Sequence, residues 1–124
     1  MSLLLYEELT FKLIGAAKLV YRVLGPGFLE SVYEEAFLYE LRKRNLKYVR
    51  QIDIDVYYKE LVLPKKFRAD LMVEDKILIE NKAIKNLTNI DVAQLINYLK
   101  STKLRIGLIF NYGSKPFEFM RRII

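Results

Sequence analysis

The stretch RADLMVEDKILIENKA, residues 68–83, determines how the chain is expected to fold. Two apolar runs, Leu71–Val73 and Ile77–Ile79, are separated by the polar triplet Glu74-Asp75-Lys76, which is typical of a tight turn between two strands. The second run is apolar at successive positions, as in strands buried on both faces. We therefore expect a hairpin whose second strand, over 76–83, lies in the centre of a sheet.

The same stretch places charged side chains near the ends of both strands. If the pairing is centred on Asp75, Asp70 lies opposite Glu80 with Cβ atoms ~4.5–5.5 Å apart, and Lys82 projects from the same face as Glu80. Two such carboxylates repel each other unless a divalent cation, Mg²⁺ or Mn²⁺, lies between them. One interpretation is a metal site that activates water to hydrolyse phosphodiesters. The other is an exposed hairpin with a cross-strand salt bridge.

Hydrophobic periodicity predicts the remaining elements on either side of this hairpin. Apolar residues at steps of three and four predict helices over 2–24, 28–44 and 88–101. Strands are predicted over 48–56, 66–73, 104–110 and 117–124, with the turn into the second strand inside 57–64. The order α-α-β-β-β-α-β-β predicts one α/β domain, residues 1–124, with a mixed sheet flanked by helices.

The composition restricts the chemistry available to the chain. None of its 124 residues is Cys or His, which excludes disulfide scaffolds, thiolate nucleophiles, histidine zinc sites and the Ser-His-Asp triad. Any metal is then a hard cation held by oxygen. The net charge of +6 is compatible with a nucleic-acid partner and equally with a merely basic surface. No apolar stretch approaches the length of a membrane span, so we expect a cytoplasmic protein without a membrane partner.

Two further motifs lie on the second and third predicted helices. Residues 27–33 read GFLESVY, a G-x-x-E-x-x-Y pattern, and residues 94–98 read QLINY, a Q-x-x-x-Y pattern. With the RADL block 68–71, the ExKA block 80–83 and the run 107–113, they occur in one characteristic order. The chain therefore resembles, from about residue 8 to its end, the GxxExxY family of the PD-(D/E)XK nuclease superfamily. Its Q-x-x-x-Y helix is similar to that of RecB-type nucleases.

The resemblance implies a restriction-endonuclease-like fold and a metal-dependent nuclease. Asp70 and Glu80 would bind Mg²⁺ or Mn²⁺, and Lys82 would be the catalytic lysine. Glu30 would be an additional acid, contacting the metal directly or through water. Asn81 departs from the family pattern, which has an apolar residue here, and we expect it to affect packing on the opposite face.

Each residue of the two helical motifs can be explained either by a function or by a structural role. The resemblance makes Gln94 a catalytic residue that positions the lysine, a water or the phosphate, with Tyr98 supporting it. Gln94 is equally interpretable as a buried structural amide, and core packing is the simpler explanation for Tyr33 and an alternative for Tyr98. Glu30 also suits the first turn of a helix. Glu34, one turn later, is a substitute ligand.

Cations and aromatic rings alternate along the predicted strands and suggest contacts with nucleic acid. Lys65, Lys66, Arg68 and Tyr98 are the candidate contacts, because cations bind phosphate while rings stack on unpaired bases. Arg68 would reach phosphate or pair with a site carboxylate. We expect DNA rather than RNA as the partner, and a homodimer that covers the substrate. The alternative functions are a nucleic-acid-binding or assembly module without turnover, and a purely structural protein.

Overall fold

The computed structural model describes residues 6–124, and it confirms the predicted order of helices and strands. The helices are α1 (Glu7–Leu24), α2 (Glu30–Lys43) and α3 (Asn89–Thr102). The strands are β1 (Tyr48–Tyr58), β2 (Leu61–Val73), β3 (Ile77–Lys82), β4 (Ile106–Asn111) and β5 (Glu118–Ile123). The predicted start of the first helix, over 2–5, lies outside the described residues.

The five strands form one mixed sheet in the order β1-β2-β3-β4-β5. Strands β3 and β4 are parallel and are connected through α3, whereas the other neighbours are antiparallel. The predicted central position of β3 is confirmed, and Ile77–Asn81 is buried throughout. The tight turn is also confirmed: Lys76 donates to Val73 (3.0 Å), and Glu74 and Asp75 both have positive φ, as in a type I′ hairpin.

Helices cover both faces of the sheet and produce two core clusters. Alternate residues of β3 contribute to both, because strand side chains alternate. Ile77 and Ile79 pack with α1 and α2, where Leu13 and Phe37 are fully buried. Leu78 packs instead with Leu95 and other side chains of α3. No helix among residues 6–124 is long and apolar enough to cross a membrane.

Strand β2 changes its packing partner at Asp70. Leu71 belongs to the cluster under α1 and α2, whereas Ala69, two residues earlier, belongs to the cluster under α3. The β1–β2 ladder skips the pair formed by Gln51 and Asp70, and Gln51 has a φ of 53°. The recorded β2–β3 pairing also ends here, at Leu71 opposite Ile79. Asp70 therefore lies where β2 leaves the centre of the sheet.

Beyond this point β1 and β2 continue as a two-stranded extension, residues 52–69, which we call the hairpin arm. Its turn is at Lys59 and Glu60, so β2 begins earlier than the predicted residue 66. The register shifts between Asp55 and Tyr57, and Pro64 lies opposite this irregularity. Since Pro lacks an amide hydrogen, it is tolerated where the ladder is interrupted. The turn thus lies inside the predicted segment 57–64, whereas Pro64 itself already belongs to β2.

Candidate active site

Asp70 and Glu80 face each other where β2 separates from β3. Glu80 Oε1 accepts a hydrogen bond from the Asp70 amide (3.1 Å), and Asp70 Oδ2 accepts one from the Asn81 amide (2.7 Å). The carboxylates thus satisfy amide groups that a continuing ladder would have paired. The predicted register, centred on Asp75, is confirmed by the pairing of Leu71 with Ile79.

The environment of this pair disfavours two negative charges. Burial raises the pKa of Asp70 to about 6, and the charges of Glu34 and Glu30 add to the increase, while the Asn81 amide opposes it. Burial raises the pKa of Glu80 further, to about 8, followed by repulsion from Asp70. The two carboxyls therefore do not both ionise readily at neutral pH without a neighbouring positive charge.

Lys82 supplies positive charge beside the pair, and its own partner is Asp91 on α3. Lys82 Nζ lies 3.6 Å from Asp91 Oδ1, and both side chains are largely shielded from solvent. The charge of Lys82 lowers the pKa of Asp70 and Glu80. Asp91 also forms a capping box with Thr88, whose amide donates to Asp91 Oδ2 (2.8 Å). The contact between Asp91 and Lys82 was not predicted from the sequence.

Two acids on α2 approach the pair from the other layer. Glu30 is exposed overall, but its carboxyl group is partly buried, and this burial raises its pKa. The charge of Lys82 lowers the pKa of Glu30, and the charge of Glu34 raises it. Glu34 is buried, and its carboxylate binds Arg50 (3.2 Å). Within residues 6–124 no three acidic side chains lie close enough to hold one metal ion. The assignment of Glu30 as a metal ligand therefore stays a prediction.

The G-x-x-E-x-x-Y motif fixes the loop that leads into α2. The Tyr33 hydroxyl donates to the Gly25 carbonyl (2.5 Å) and accepts from the Phe28 amide (3.1 Å). Gly27 has a φ of 115°, which residues with a Cβ rarely adopt. The ring of Tyr33 is fully buried and stacks on Tyr112, with centroids 4.7 Å apart. The packing interpretation of Tyr33 is thus confirmed.

The Q-x-x-x-Y motif lies on α3 beside β3. Tyr98 is buried, and burial together with the charges of Glu80 and Asp70 raises its pKa to about 12. The Tyr98 hydroxyl is therefore within electrostatic range of the carboxylates. Gln94, one turn earlier on the same helix, is half-buried and forms no hydrogen bond through its amide to any described residue.

The predicted nucleic-acid contacts differ in whether their charges are already paired. Arg68 binds Asp53 (3.0 Å) rather than a site carboxylate, and Lys66 forms an ion pair with Asp55. Lys65 is exposed and makes no ion pair with any residue of the described part of the chain.

Asn81, the residue that departs from the family pattern, faces the layer of α1 and α2, on the side of β3 opposite Glu80. Its Oδ1 accepts a hydrogen bond from the Tyr112 hydroxyl (3.4 Å).

Comparisons with known proteins bear on the fold and the family of this chain. The solved structure described as "Crystal structure of SSO0001" matches with a TM-score of 0.55 and 16% identity, over 75% of this chain and 48% of that chain. This chain therefore spans about half of that protein, and the likeness supports the predicted restriction-endonuclease-like fold. No curated protein sequence is similar enough to count as a relative. A sequence profile matches residues 7–123, nearly the whole described chain, and the chain belongs to the PD-(D/E)XK nuclease superfamily.

Proposed function

We propose that the chain is a metal-dependent nuclease that hydrolyses phosphodiester bonds in nucleic acid, with DNA favoured over RNA. Superfamily membership supports the reaction class. The observation that carries the proposal is the buried pair of Asp70 and Glu80, each held by a backbone amide at the point where β2 separates from the central strand β3. The two helical motifs support a finer placement, in the GxxExxY family on the RecB-like branch.

The chemistry of this pair fits a hard divalent cation. Asp70 and Glu80 each use one oxygen for a backbone amide, and the other oxygen has no donor among residues 6–124. Burial raises the pKa of both carboxyls, repulsion from Asp70 adds to the increase for Glu80, and repulsion from Glu34 and Glu30 adds to it for Asp70. A bound cation would oppose these effects. Carboxylate oxygens are ligands that suit Mg²⁺ and Mn²⁺. We assign Asp70 and Glu80 as metal ligands, with Glu30 contacting the ion directly or through water.

The remaining polar side chains have separate roles in the proposed reaction. When bound, the cation lowers the pKa of water and polarises a phosphoryl oxygen. Lys82, held by Asp91, stabilises the negative charge that develops on the phosphate. Gln94 has an unengaged amide beside the site and orients the attacking water or the phosphate. Tyr98 packs behind the carboxylates and restricts their movement.

The setting of the reaction is proposed on more general grounds. The net charge of +6 favours an anionic polymer as substrate. We propose that residues 1–124 act as one domain in the cytoplasm. A domain of this size covers little of a nucleic-acid substrate, so we propose a homodimer in which the second subunit extends the contact.

The runner-up function is a nucleic-acid-binding or assembly module that retains the fold without turnover. One observation favours it: residues 6–124 bring no three acids together as a metal cage, and Lys82 contacts Asp91 instead of the carboxylate pair. This alternative predicts binding to nucleic acid that is indifferent to divalent metal and to Lys82→Ala.

The experiment incubates the protein with labelled single- and double-stranded DNA and RNA, in Mn²⁺, in Mg²⁺ and in chelator. Lys82→Ala is compared with Lys85→Ala, a matched exposed lysine on the following loop. We expect cleavage that requires metal, persists in Lys85→Ala and is lost in Lys82→Ala. Cleavage that is equal in both variants would indicate a contaminating nuclease. The absence of cleavage on every substrate, with binding retained, would favour the non-catalytic module.

A further inference from the structure

An open groove lies between the hairpin arm and the C-terminal half of α3. It encloses about 550 Å³, and the side chains that matter for its chemistry are Tyr57 and Phe67 on the arm and Asn97, Lys100 and Lys103 at the helix. This volume is within the range of ~300–1,000 Å³ that is typical of ligand clefts. The groove is separate from the carboxylate pair, and none of its residues belongs to the G-x-x-E-x-x-Y motif.

The groove is positively charged and its charges are unpaired. None of its described lining residues is acidic, and neither Lys100 nor Lys103 forms an ion pair with any residue of 6–124. This differs from Lys66 and Arg68 on the opposite face of the arm, which are neutralised by Asp55 and Asp53. The two lysines are therefore available to an anionic ligand without breaking an existing contact.

Two aromatic rings of the arm are exposed beside these lysines. Tyr57 is 63% exposed and Phe67 is 45% exposed. Rings next to unpaired cations suit unpaired nucleic acid, because bases stack on the rings while cations bind the phosphates. A regular duplex keeps its bases stacked on each other and has no free base face to offer.

The groove adjoins Tyr98 of the Q-x-x-x-Y motif, which lies towards the candidate active site. The ring of Phe67 lies 5.4 Å from the ring of Tyr98, centroid to centroid. Tyr98 is the residue whose pKa responds to the charges of Glu80 and Asp70. Tyr98 is therefore in contact with the rim of the groove and within the electrostatic influence of the carboxylate pair.

We propose that this groove binds a single-stranded segment of nucleic acid and leads it to the carboxylate pair. The claim that the bound nucleic-acid strand leads to the carboxylate pair rests on the proposed nuclease function. Lys100 and Lys103 bind its phosphates, Tyr57 stacks on a base, and Asn97 is placed to hydrogen-bond the base edge or sugar. Duplex nucleic acid binds more weakly to this groove, because its bases are not free to stack on the rings.

The test measures binding by fluorescence anisotropy in chelator, so that affinity is separated from cleavage. The probes are a labelled oligothymidylate, an RNA oligomer of the same length and a DNA duplex. The variant Lys100→Ala/Lys103→Ala is compared with Lys12→Ala/Lys43→Ala, which removes the same charge from α1 and α2 on the other face of the sheet. We expect the groove variant alone to flatten the salt dependence of single-strand binding, by about 1.4 in log–log slope for two phosphate contacts.

The stacking contact is tested separately at the exposed Tyr57. We expect Tyr57→Ala to weaken single-strand binding roughly 5- to 150-fold, as for the loss of one stacked base, whereas Tyr57→Phe retains affinity. Equal affinity in the groove and control variants, or duplex binding that is tighter than single-strand binding, would overturn the proposal. If the wild type cleaves nucleic acid and the groove variants change neither cleavage nor binding, the proposed role of the groove is wrong while the nuclease function stands. Single-strand binding through the groove without any cleavage would overturn the nuclease instead.

Discussion

The carboxylate of Glu80 accepts the amide hydrogen of Asp70 across 3.1 Å, so that two acidic residues share one break in the sheet. The break has a local cause: Gln51 adopts a positive φ opposite Asp70, and β2 then turns from one core cluster to the other. The amide groups left there without ladder partners are satisfied by side-chain oxygens. The irregular backbone at this point thus brings the carboxylates of Asp70 and Glu80 together at a buried position.

Metal-free stability is expected to depend on pH through this pair. The pKa of Glu80 rises from 4.5 to about 8 on folding, so the folded state binds more protons than the unfolded state in that interval. The free energy of unfolding therefore falls as the pH rises from 4.5 through about 8. Asp70 contributes in the same direction, from 3.8 to about 6. Since one pKa unit corresponds to about 1.4 kcal/mol, we expect a total loss of a few kcal/mol, measured by urea denaturation in chelator.

Glu80→Gln tests the origin of this dependence. The amide oxygen of Gln still accepts the Asp70 hydrogen bond, but the side chain has no proton to lose. We expect the variant to be more stable than the wild type at pH 8 and similar at pH 5. Asp53→Asn is the control, because its ion pair with Arg68 is exposed and contributes about 0–1 kcal/mol. A wild-type stability that is flat between pH 5 and 8 would contradict the prediction.

Divalent metal is expected to reverse this loss. If Mn²⁺ or Mg²⁺ binds the ionised pair as proposed, the increase in melting temperature on adding metal should be larger at pH 8 than at pH 5.5. An ion at 100 times its dissociation constant adds about 2.7 kcal/mol. We expect Asp70→Asn and Glu80→Gln to abolish the increase and Asp53→Asn to retain it, in thermal denaturation monitored by circular dichroism. An equal increase in all three variants would show that the metal binds elsewhere.

The parts of this site that lie close together in the sequence were predictable. The polar triplet at residues 74–76 between two apolar runs fixes the register that brings Asp70 to Glu80, and the apolar periodicity over 88–101 identifies α3. Both inferences depend on local geometry, which repeats with the period of a strand or a helical turn.

Contacts that depend on the path of the backbone between elements were not predictable. Lys82 meets Asp91 only because α3 crosses over β3 on its way to the parallel strand β4. The change of packing face at Asp70 accompanies the positive φ of Gln51. A glutamine at this position gives no indication of a positive φ, so the change could not be predicted. The start of β2 at Leu61 rather than at residue 66 was not predictable for a similar reason, since Pro64 is as acceptable in an irregular ladder as in a turn.

Variants of Lys82 and of its partner Asp91 are expected to distinguish effects on kcat from effects on stability. Lys82→Met keeps the apolar stem and removes the charge, and we expect kcat to fall by about 10²–10³-fold with metal affinity retained. Asp91→Asn should give a smaller decrease in kcat, because it positions Lys82 without touching the substrate. Asp91 also belongs to the capping box of α3, and Thr88→Ala removes the hydroxyl half of that box without touching Lys82, at about 1 kcal/mol. If Thr88→Ala and Asp91→Asn lowered kcat equally, the positioning role would be wrong.

Gly113 is expected to be intolerant of any side chain. A Cβ at this position would lie 2.5 Å from the Ile84 carbonyl oxygen and 2.6 Å from its nitrogen. Since these are backbone atoms directly after β3, they cannot rotate away. We expect Gly113→Ala to destabilise the fold by about 1–3 kcal/mol or more in urea denaturation. The control is Gly15→Ala, which meets nothing within 4 Å on the exposed face of α1 and should stabilise it by about 0.5–1 kcal/mol.

Tyr33 is expected to support catalysis through the loop that precedes Glu30. Its hydroxyl joins the Gly25 carbonyl to the Phe28 amide, whereas its ring packs independently on Tyr112. Tyr33→Phe therefore keeps the stacking and removes both hydrogen bonds, at a cost of about 1–3 kcal/mol in unfolding free energy. We expect kcat to fall as well, because Glu30 is then less firmly placed relative to Asp70.

The comparison that isolates this effect is Tyr112→Phe. That variant loses a single long hydrogen bond to Asn81 (3.4 Å), on the same stacked pair of rings but away from the loop. We expect it to lose stability without a change in kcat, when both variants are assayed below their melting transitions. Glu30→Gln should lower kcat at least as much as Tyr33→Phe, and the double variant should add little, since both changes act through one carboxylate. Additive effects of the two changes would mean that Tyr33 acts by another route.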